Sequence, residues 1–270
     1  MNNRILPKIV NEVQAVTEYL SQRFCDGVKT DLAAICQDEN ISLIYAEYRN
    51  HFDGMIVWDT PRFYIHINTE KGNLPDSNRG RFSLGHELGH YFLESHRAGI
   101  RSGIIPPHAS VNCLVQDDKL ELEADYFAAN LLMPRERLRR FTGGRKFSLD
   151  IIKEISAKFG VSLTAAVIRF AEVGTHEIMV VFSQDNVVKW SYRSENFPKV
   201  VNKFKKGGPL PPTSVAGESF LKRNARYTGV EPVDFEDWFI YNDWKPQWQL
   251  YEQCCYSDIY NYVISIVWFK

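Results

Sequence analysis

The chain has 270 residues, of which 44% are hydrophobic and 24% are charged. This composition is typical of a folded globular protein with two or three compact units, and it excludes a disordered, collagen-like or coiled-coil chain. The 32 basic and 33 acidic residues give a formal net charge of -1. The overall basic excess that is typical of nucleic-acid-binding proteins is therefore absent.

The sequence shows no feature of a membrane or secreted protein. No run reaches the roughly 18 apolar residues of a membrane span, and the first residues lack the apolar stretch of a secretory signal. The cysteines form no Cys-x-x-Cys pair, which argues against a disulfide framework or a thiolate zinc site and favours a reducing compartment. We therefore expect a cytoplasmic protein. The five cysteines are Cys25, Cys36, Cys113, Cys254 and Cys255.

Hydrophobic spacing predicts mixed helices and strands over the first half of the chain. One of the strands, 62–67, directly precedes the segment with the strongest motif, and we expect it to present a sheet edge to which an extended substrate can add. In chain order, the pattern predicts helices over 8–24 and 30–37, strands over 41–48, 54–58 and 62–67, a loop over 71–80, a helix over 83–95, a loop to 117, and a helix over 119–133 that stops at Pro134.

The second half of the chain predicts first helices and then strands. Residues 148–172 predict two helices around a turn that contains Gly160, and 177–192 predict a hairpin. The segment 206–212 is a loop or boundary, and twelve aromatic residues in 230–270 predict mixed strands around an aromatic core. We therefore expect three domains: 1–135, a helical segment over 136–175, and an α+β domain over 176–270 as a candidate sensor or regulatory domain.

The segment 81–96, RFSLGHELGHYFLESH, contains the pattern His-Glu-x-x-His. On a helix, residues four apart lie about 40° apart around the axis and about 6 Å apart along it. His86 and His90 can therefore bind one metal ion. Glu87 lies about 100° from His86 around the same axis and can reach a water at that ion without being a ligand itself.

A catalytic zinc ion needs a third protein ligand, and two residues are candidates. His96 follows at the metzincin spacing, but a continuous helix would carry it about 9 Å beyond His90, so we expect it to be a polar residue at the helix end. Glu121 borders an apolar helix stripe, where a carboxylate is costly unless it is paired or coordinated. Asp125 would then accept a hydrogen bond from a ligand imidazole; the alternative is that both carboxylates are solvated.

The two motifs together resemble those of a known family. His-Glu-x-x-His followed by Glu-x-x-Ala-Asp resembles the gluzincin arrangement, and RFSLGHELGH with ELEADYFAANLLMP resembles the ImmA/IrrE metallopeptidases over residues 28–175. The resemblance implies an α+β fold with a zincin-like metallopeptidase domain, a helix-turn-helix-like segment and an aromatic-rich α+β domain. It also implies that His86, His90 and Glu121 bind the metal and that Glu87 is the general base.

The resemblance further implies a function in transcription regulation or stress response. Members of the family cleave a helix-turn-helix repressor encoded nearby and so relieve the repression of mobile-element or stress-response genes. In such a reaction Glu87 would take a proton from the attacking water and pass it to the leaving amine. The expected cofactor is Zn²⁺, although two imidazoles and a carboxylate also accept Mn²⁺ or Fe²⁺. Tyr91, His96, His108 and Tyr126 remain open as oxyanion donors.

Two functions of other classes remain as alternatives. Residues 148–172 resemble the helix pair of a DNA-binding regulator, but their charges nearly cancel and the second helix offers only Arg169 as a cation. Packing against the peptidase core is therefore favoured over direct DNA binding. The segment 176–270 is a candidate protein-interaction module, in which case the metal site would be non-catalytic.

Overall fold

A computed structural model of the chain describes residues 5–111, 118–173, 176–222, 228–240, 248–257 and 261–270, apart from the side chains of residues 26 and 219–222. The chain divides into two compact units, Met1–Phe141 with Asp150–Ala166 and Thr142–Leu149 with Val167–Lys270. Both units combine helices with sheets, so the fold is α+β as the sequence predicts. The three domain boundaries stay a prediction, and Cys113 lies outside the described residues.

Seven α-helices, one 3-10 helix (Thr69–Lys71) and six strands precede residue 160 in the described part of the chain. The helices are α1 (Pro7–Arg23), α2 (Leu32–Asp38), α3 (Asn78–Phe92), α4 (Glu94–Ser102), α5 (Lys119–Leu132), α6 (Arg135–Thr142) and α7 (Leu149–Phe159). The strands are β1 (Cys25–Asp26), β2 (Lys29–Thr30), β3 (Ser42–Ala46), β4 (Gly54–Asp59), β5 (Arg62–Asn68) and β6 (His108–Ser110).

Strands β3 to β6 form the main sheet of the first unit, in the order β3-β5-β4-β6. Strand β3 is parallel to β5, and the other pairs are antiparallel. The expectation that β5 lies at an edge is therefore wrong, because β3 and β4 cover its two sides. The edges of this sheet are β3 and β6.

The predicted helices and strands before residue 70 and the helix over 119–133 are confirmed to within a few residues, but the region between them differs. Helix α3 already begins at Asn78, where Ser77 accepts a hydrogen bond from the Gly80 amide. It ends at Phe92 rather than continuing to 95, because Leu93 adopts an extended conformation with ψ of 114°. Helix α4 then occupies 94–102, where the sequence predicts a loop.

Helices α3 and α5 pack closely, and this packing brings the two motifs together. A Cβ atom at Gly85 would lie 3.4 Å from the Ala128 Cβ, and one at Gly89 would lie 3.0 Å from the Ala124 Cα. The absence of a side chain at these positions lets the helix backbones approach. The side chain of Asp118 accepts hydrogen bonds from the first free amides of α5 and so fixes where α5 begins.

The second unit contains a five-stranded antiparallel sheet in the order β10-β12-β13-β7-β8, and a two-stranded pair β11-β9. The predicted helix pair and hairpin are confirmed: Gly160 turns the chain after α7 with φ of 65°, and Asp185 and Asn186 form the hairpin turn with φ of 53° and 59°. Beyond residue 160, the described elements of the chain are α8 (Leu163–Val173), whose first residues belong to the first unit, β7 (Ile178–Gln184), β8 (Val187–Arg193), β9 (Val201–Asn202), α9 (Val215–Lys222), β10 (Glu231–Val233), α10 (Phe235–Trp238), β11 (Phe239–Ile240), β12 (Leu250–Ser257) and β13 (Tyr262–Phe269).

Aromatic side chains build much of the core of this sheet, as the composition of 230–270 predicts. Phe235, Trp238 and Phe239 are buried together with apolar residues of β7, β12 and β13, and the Trp238 ring meets Phe204 edge to face. Part of 230–270 lies outside the described residues. Among the helices that the structure describes, none combines the length and apolar character needed to cross a bilayer.

Candidate metal centre

The two histidines of the His-Glu-x-x-His pattern converge on one point. Both lie on α3 and are almost completely buried, with 3% of His86 and 1% of His90 exposed. Their Nε2 atoms are 3.2 Å apart. The helical spacing therefore directs the same nitrogen of each ring into a common space.

A carboxylate from α5 completes the group. The Oε2 atom of Glu121 is 3.4 Å from His86 Nε2, and its Oε1 atom is 3.2 Å from His90 Nε2. His86, His90 and Glu121, hereafter the ligand cluster, each offer a ligand atom within 4.8 Å of the others. A buried group of this composition can hold a divalent metal ion.

The hydrogen bond from His86 to Asp125, which lies outside the ligand cluster, favours a cation within the cluster. Asp125 Oδ1 lies 2.8 Å from His86 Nδ1, so that Nδ1 carries the proton and donates it to the carboxylate. In the neutral ring the lone pair of His86 is then on Nε2, facing the carboxylate of Glu121. Two bare acceptors are costly in a buried space, so either a second proton on His86 or a metal ion must stand between them, and a metal ion satisfies both at once.

Burial and mutual hydrogen bonds shift the pKa values of all three side chains of the ligand cluster. Burial alone would lower the pKa of His86, but its hydrogen bonds to Asp125 and Glu121 raise it well above the ordinary value. Burial lowers the pKa of His90 to about 3. Burial alone would raise the pKa of Glu121, but bonds from His108, His86 and His90 hold it far below its usual range.

Glu87 lies beside the cluster without joining it. It is fully buried, and neither carboxylate oxygen accepts a well-formed hydrogen bond from the residues that the structure describes, although the nearby Ser110 hydroxyl opposes the effect of burial on its pKa. Its Oε1 atom sits against β4, where a Cβ at Gly54 would lie only 2.5 Å away. Burial raises the pKa of Glu87 to about 7, so its carboxyl group can both accept and release a proton near neutral pH.

His96 occupies a place that the sequence prediction missed. Because α3 breaks at Leu93, His96 folds back and is completely buried rather than lying at a helix end. Its Nδ1 atom is 3.1 Å from His90 Nδ1, and its Nε2 atom is 3.0 Å from Glu123 Oε2. It thus approaches His90 from the side opposite the cluster, and it is not one of the three residues whose ligand atoms converge.

The four candidates for an oxyanion donor fall into different surroundings. The Tyr91 hydroxyl donates a hydrogen bond to Glu39 at 2.9 Å, and the two ring nitrogens of His96 contact His90 and Glu123. Tyr126 is buried on α5. His108 lies on the edge strand β6 with its Nε2 atom 2.5 Å from Glu121 Oε1, and the bond to this carboxylate raises the pKa of the imidazole.

The comparison with known families agrees with this geometry. A family model described as Peptidase M78, IrrE N-terminal-like domain, matches residues 36–171, half of the chain. The chain belongs to this family. The ligand cluster, Glu87 and Asp125 all lie within the residues that the M78 domain covers, and the membership confirms the ImmA/IrrE resemblance seen in the sequence.

A solved structure shares the fold of this M78 chain. The structure named "Mycobacterium tuberculosis transcriptional regulator" matches 99% of this chain and 77% of its own, with a TM-score of 0.65 and 12% sequence identity. At this identity the similarity shows a common fold and nothing more. No curated protein matches the chain.

The helix pair α7–α8 of the M78 chain offers little for DNA contact. Arg169, the only cation of α8, is 4% exposed and forms an ion pair with Glu172 at 2.8 Å. A side chain that reads bases or contacts phosphates must reach the surface. The structure therefore weakens the alternative of a DNA-binding regulator acting through 148–172.

Proposed function

We propose that the chain is a zinc-dependent endopeptidase. The observation that carries the proposal is the ligand cluster, in which two buried imidazole nitrogens and a carboxylate from another helix converge beside the unpaired carboxylate of Glu87. Three protein ligands that leave a position for water are typical of catalytic rather than structural zinc sites. Membership in a peptidase family supports the same activity.

The residues of the chain have distinct tasks in the proposed hydrolysis. When bound, the zinc ion supplies Lewis acidity that polarises the scissile carbonyl and acidifies the attacking water. Glu87 accepts the proton of that water and delivers it to the leaving amine, a task that suits a carboxyl group with a pKa near 7. Asp125 keeps His86 in the tautomer that presents Nε2.

Two further features concern the substrate. His108 carries a raised pKa and stands next to Glu121 on β6, so we assign it as the donor that stabilises the developing oxyanion. Strand β6 is a sheet edge, and an extended peptide can add there through main-chain hydrogen bonds. We propose a helix-turn-helix repressor as the substrate, in line with the family resemblance. We further propose that the protein acts in the cytoplasm and that its metal is Zn²⁺, with Mn²⁺ and Fe²⁺ as alternatives.

The proposal is tested on a repressor encoded next to the gene for this chain. The purified zinc-loaded protein and its Glu87→Gln variant are incubated with the repressor, and the products are identified by mass spectrometry. We expect cleavage at a defined bond by the wild type and a loss of at least about 100-fold in the variant, because the general base is gone. Equal cleavage by both proteins would eliminate Glu87 as the base.

A further inference from the structure

Behind the ligand cluster, a chain of hydrogen bonds connects three buried side chains from three helices. His90 on α3 meets His96 on α4 through their Nδ1 atoms at 3.1 Å, and His96 meets Glu123 on α5 through Nε2 and Oε2 at 3.0 Å. The exposed fractions of the three residues are 1%, 0% and 3%. Water is therefore excluded from both bonds, and each must have a definite donor and acceptor.

The direction of this chain follows from its last member. Glu123 is a carboxylate and can only accept, so the Nε2 atom of His96 carries a proton. In a neutral imidazole the Nδ1 atom of His96 is then an acceptor. The proton between the two rings belongs to His90 Nδ1, and the lone pair of His90 is left on Nε2, the atom that faces Glu121.

We propose that His96 and Glu123 are positioning residues that hold His90 in the tautomer and ring orientation required for metal binding. Asp125 is placed to do this for His86 with one direct bond, whereas His90 is held by two bonds in series. The inference rests on the proposed function only in treating the ligand cluster as a metal site. Neither His96 nor Glu123 belongs to the cluster itself.

The experiment compares two variants at position 96 whose side chains have the same number of heavy atoms and the same branching. In His96→Asn, the amide oxygen can take the place of the Nδ1 atom and accept the proton of His90, whereas His96→Leu offers no acceptor. We expect zinc affinity, measured by competition with a chromophoric chelator, to fall by about 10- to 100-fold in His96→Leu and to fall less in His96→Asn, which keeps an acceptor for His90 but loses the bond to Glu123. Circular dichroism of the metal-free proteins checks their folding.

A control variant separates this role from the general cost of losing a histidine. His66 on β5 also has a bonded ring nitrogen, with its Nδ1 atom 2.7 Å from the Tyr48 hydroxyl, but it is not part of the ligand cluster. We expect His66→Leu to keep the wild-type zinc affinity. If neither variant at position 96 folds, Glu123→Met takes their place, because it removes the acceptor of the His96 Nε2 proton while keeping a side chain of similar length: weaker zinc binding supports the inference, and unchanged binding overturns it.

The outcomes distinguish this inference from the proposed function. A His96→Leu protein that binds zinc as tightly as the wild type overturns the inference alone, as does a His96→Asn protein that binds as weakly as His96→Leu, since the side chain would then act only by filling space. A wild type that binds one zinc ion but cleaves no repressor contradicts the endopeptidase proposal and leaves the positioning role intact. A wild type that binds no zinc overturns both.

Discussion

At the scale of single residues, the contact between Glu87 and Gly54 decides where the proposed base can stand. The carboxylate of Glu87 is buried against the first residue of β4, and no room remains there for even one additional carbon atom. The sequence places Glu87 in its motif but contains no signal that connects it with a glycine 33 positions earlier. The position of the Glu87 carboxylate therefore depends on a residue outside both motifs.

We predict that Gly54→Ala impairs hydrolysis while zinc binding persists. The added methyl group would lie 2.5 Å from Glu87 Oε1 and 2.9 Å from its Cγ, so the carboxylate must shift, and a displacement on the order of 1 Å in a catalytic group costs roughly 100-fold in rate. Cleavage kinetics and chelator competition measure the two properties separately. Gly229→Ala serves as the control, because a Cβ there meets nothing within 4 Å; equal rates for both variants would contradict the prediction.

At the scale of elements, the distance between α3 and α5 determines whether the three ligands can converge. His90 and Glu121 come from different helices, and the two helices leave less space at Gly89 and Ala124 than at Gly85 and Ala128. Gly85 lies one turn away on α3, where the same helix pair leaves more space. The two glycines thus provide a matched pair on one helix.

We predict opposite effects for the two alanine substitutions. In Gly89→Ala the new methyl group would lie 3.0 Å from the Ala124 Cα and 3.1 Å from its carbonyl oxygen, so the backbones must separate. We expect a loss of about 1–3 kcal/mol in the free energy of unfolding and weaker zinc binding. In Gly85→Ala the contact is an ordinary one, and the higher helix propensity of alanine should stabilise the protein by up to about 1 kcal/mol.

Urea denaturation and chelator competition test this pair of variants. Because both substitutions add the same methyl group to the same helix, propensity alone would affect them equally. A Gly89→Ala protein as stable as Gly85→Ala would show that the close approach at Ala124 does not limit the packing of the helices.

The break at Leu93 illustrates which part of an element the sequence can predict. The spacing of apolar residues and the two histidines identifies α3, because those signals are local. The next helix begins with a contact from far along the chain: the Glu94 amide, at the start of α4, donates a hydrogen bond to Glu12 of α1 at 3.0 Å. Leucine is a good helix former, and no pattern within 83–95 indicates that α3 ends at Phe92 or that a residue of α1 contacts the start of α4.

The position of β5 was mispredicted for a related reason. The antiparallel pairing of β4 with β5 joins neighbours along the chain and can be read from the turn between them. The parallel pairing of β3 with β5 passes over β4, and periodicity carries no information on such a long-range choice. The sequence therefore predicts the residues of the ligand cluster better than the order of the strands in the sheet.

At the scale of the whole molecule, each compact unit has its own buried polar centre. In the second unit, Glu252 of β12 is fully buried and accepts hydrogen bonds from the Val215 amide at 2.9 Å, the Ala216 amide at 3.0 Å and the Trp238 indole at 2.8 Å. The carboxylate thereby ties α9 and α10 to the sheet. The ligand cluster, in contrast, is built entirely from residues of the first unit.

We predict that Glu252→Gln destabilises the protein without changing its affinity for zinc. The amide group of glutamine replaces one accepting oxygen by a donor, which must face one of the N–H groups that Glu252 now satisfies, at a cost of about 1–3 kcal/mol. Urea denaturation measures the loss, and chelator competition measures zinc binding. The matched control is Glu231→Gln, the same substitution at the exposed residue that pairs with Glu252 across β10 and β12. A Glu252→Gln protein as stable as this control would contradict the stabilising role of the carboxylate, and one that loses zinc affinity in proportion to its stability would contradict the separation of the two centres.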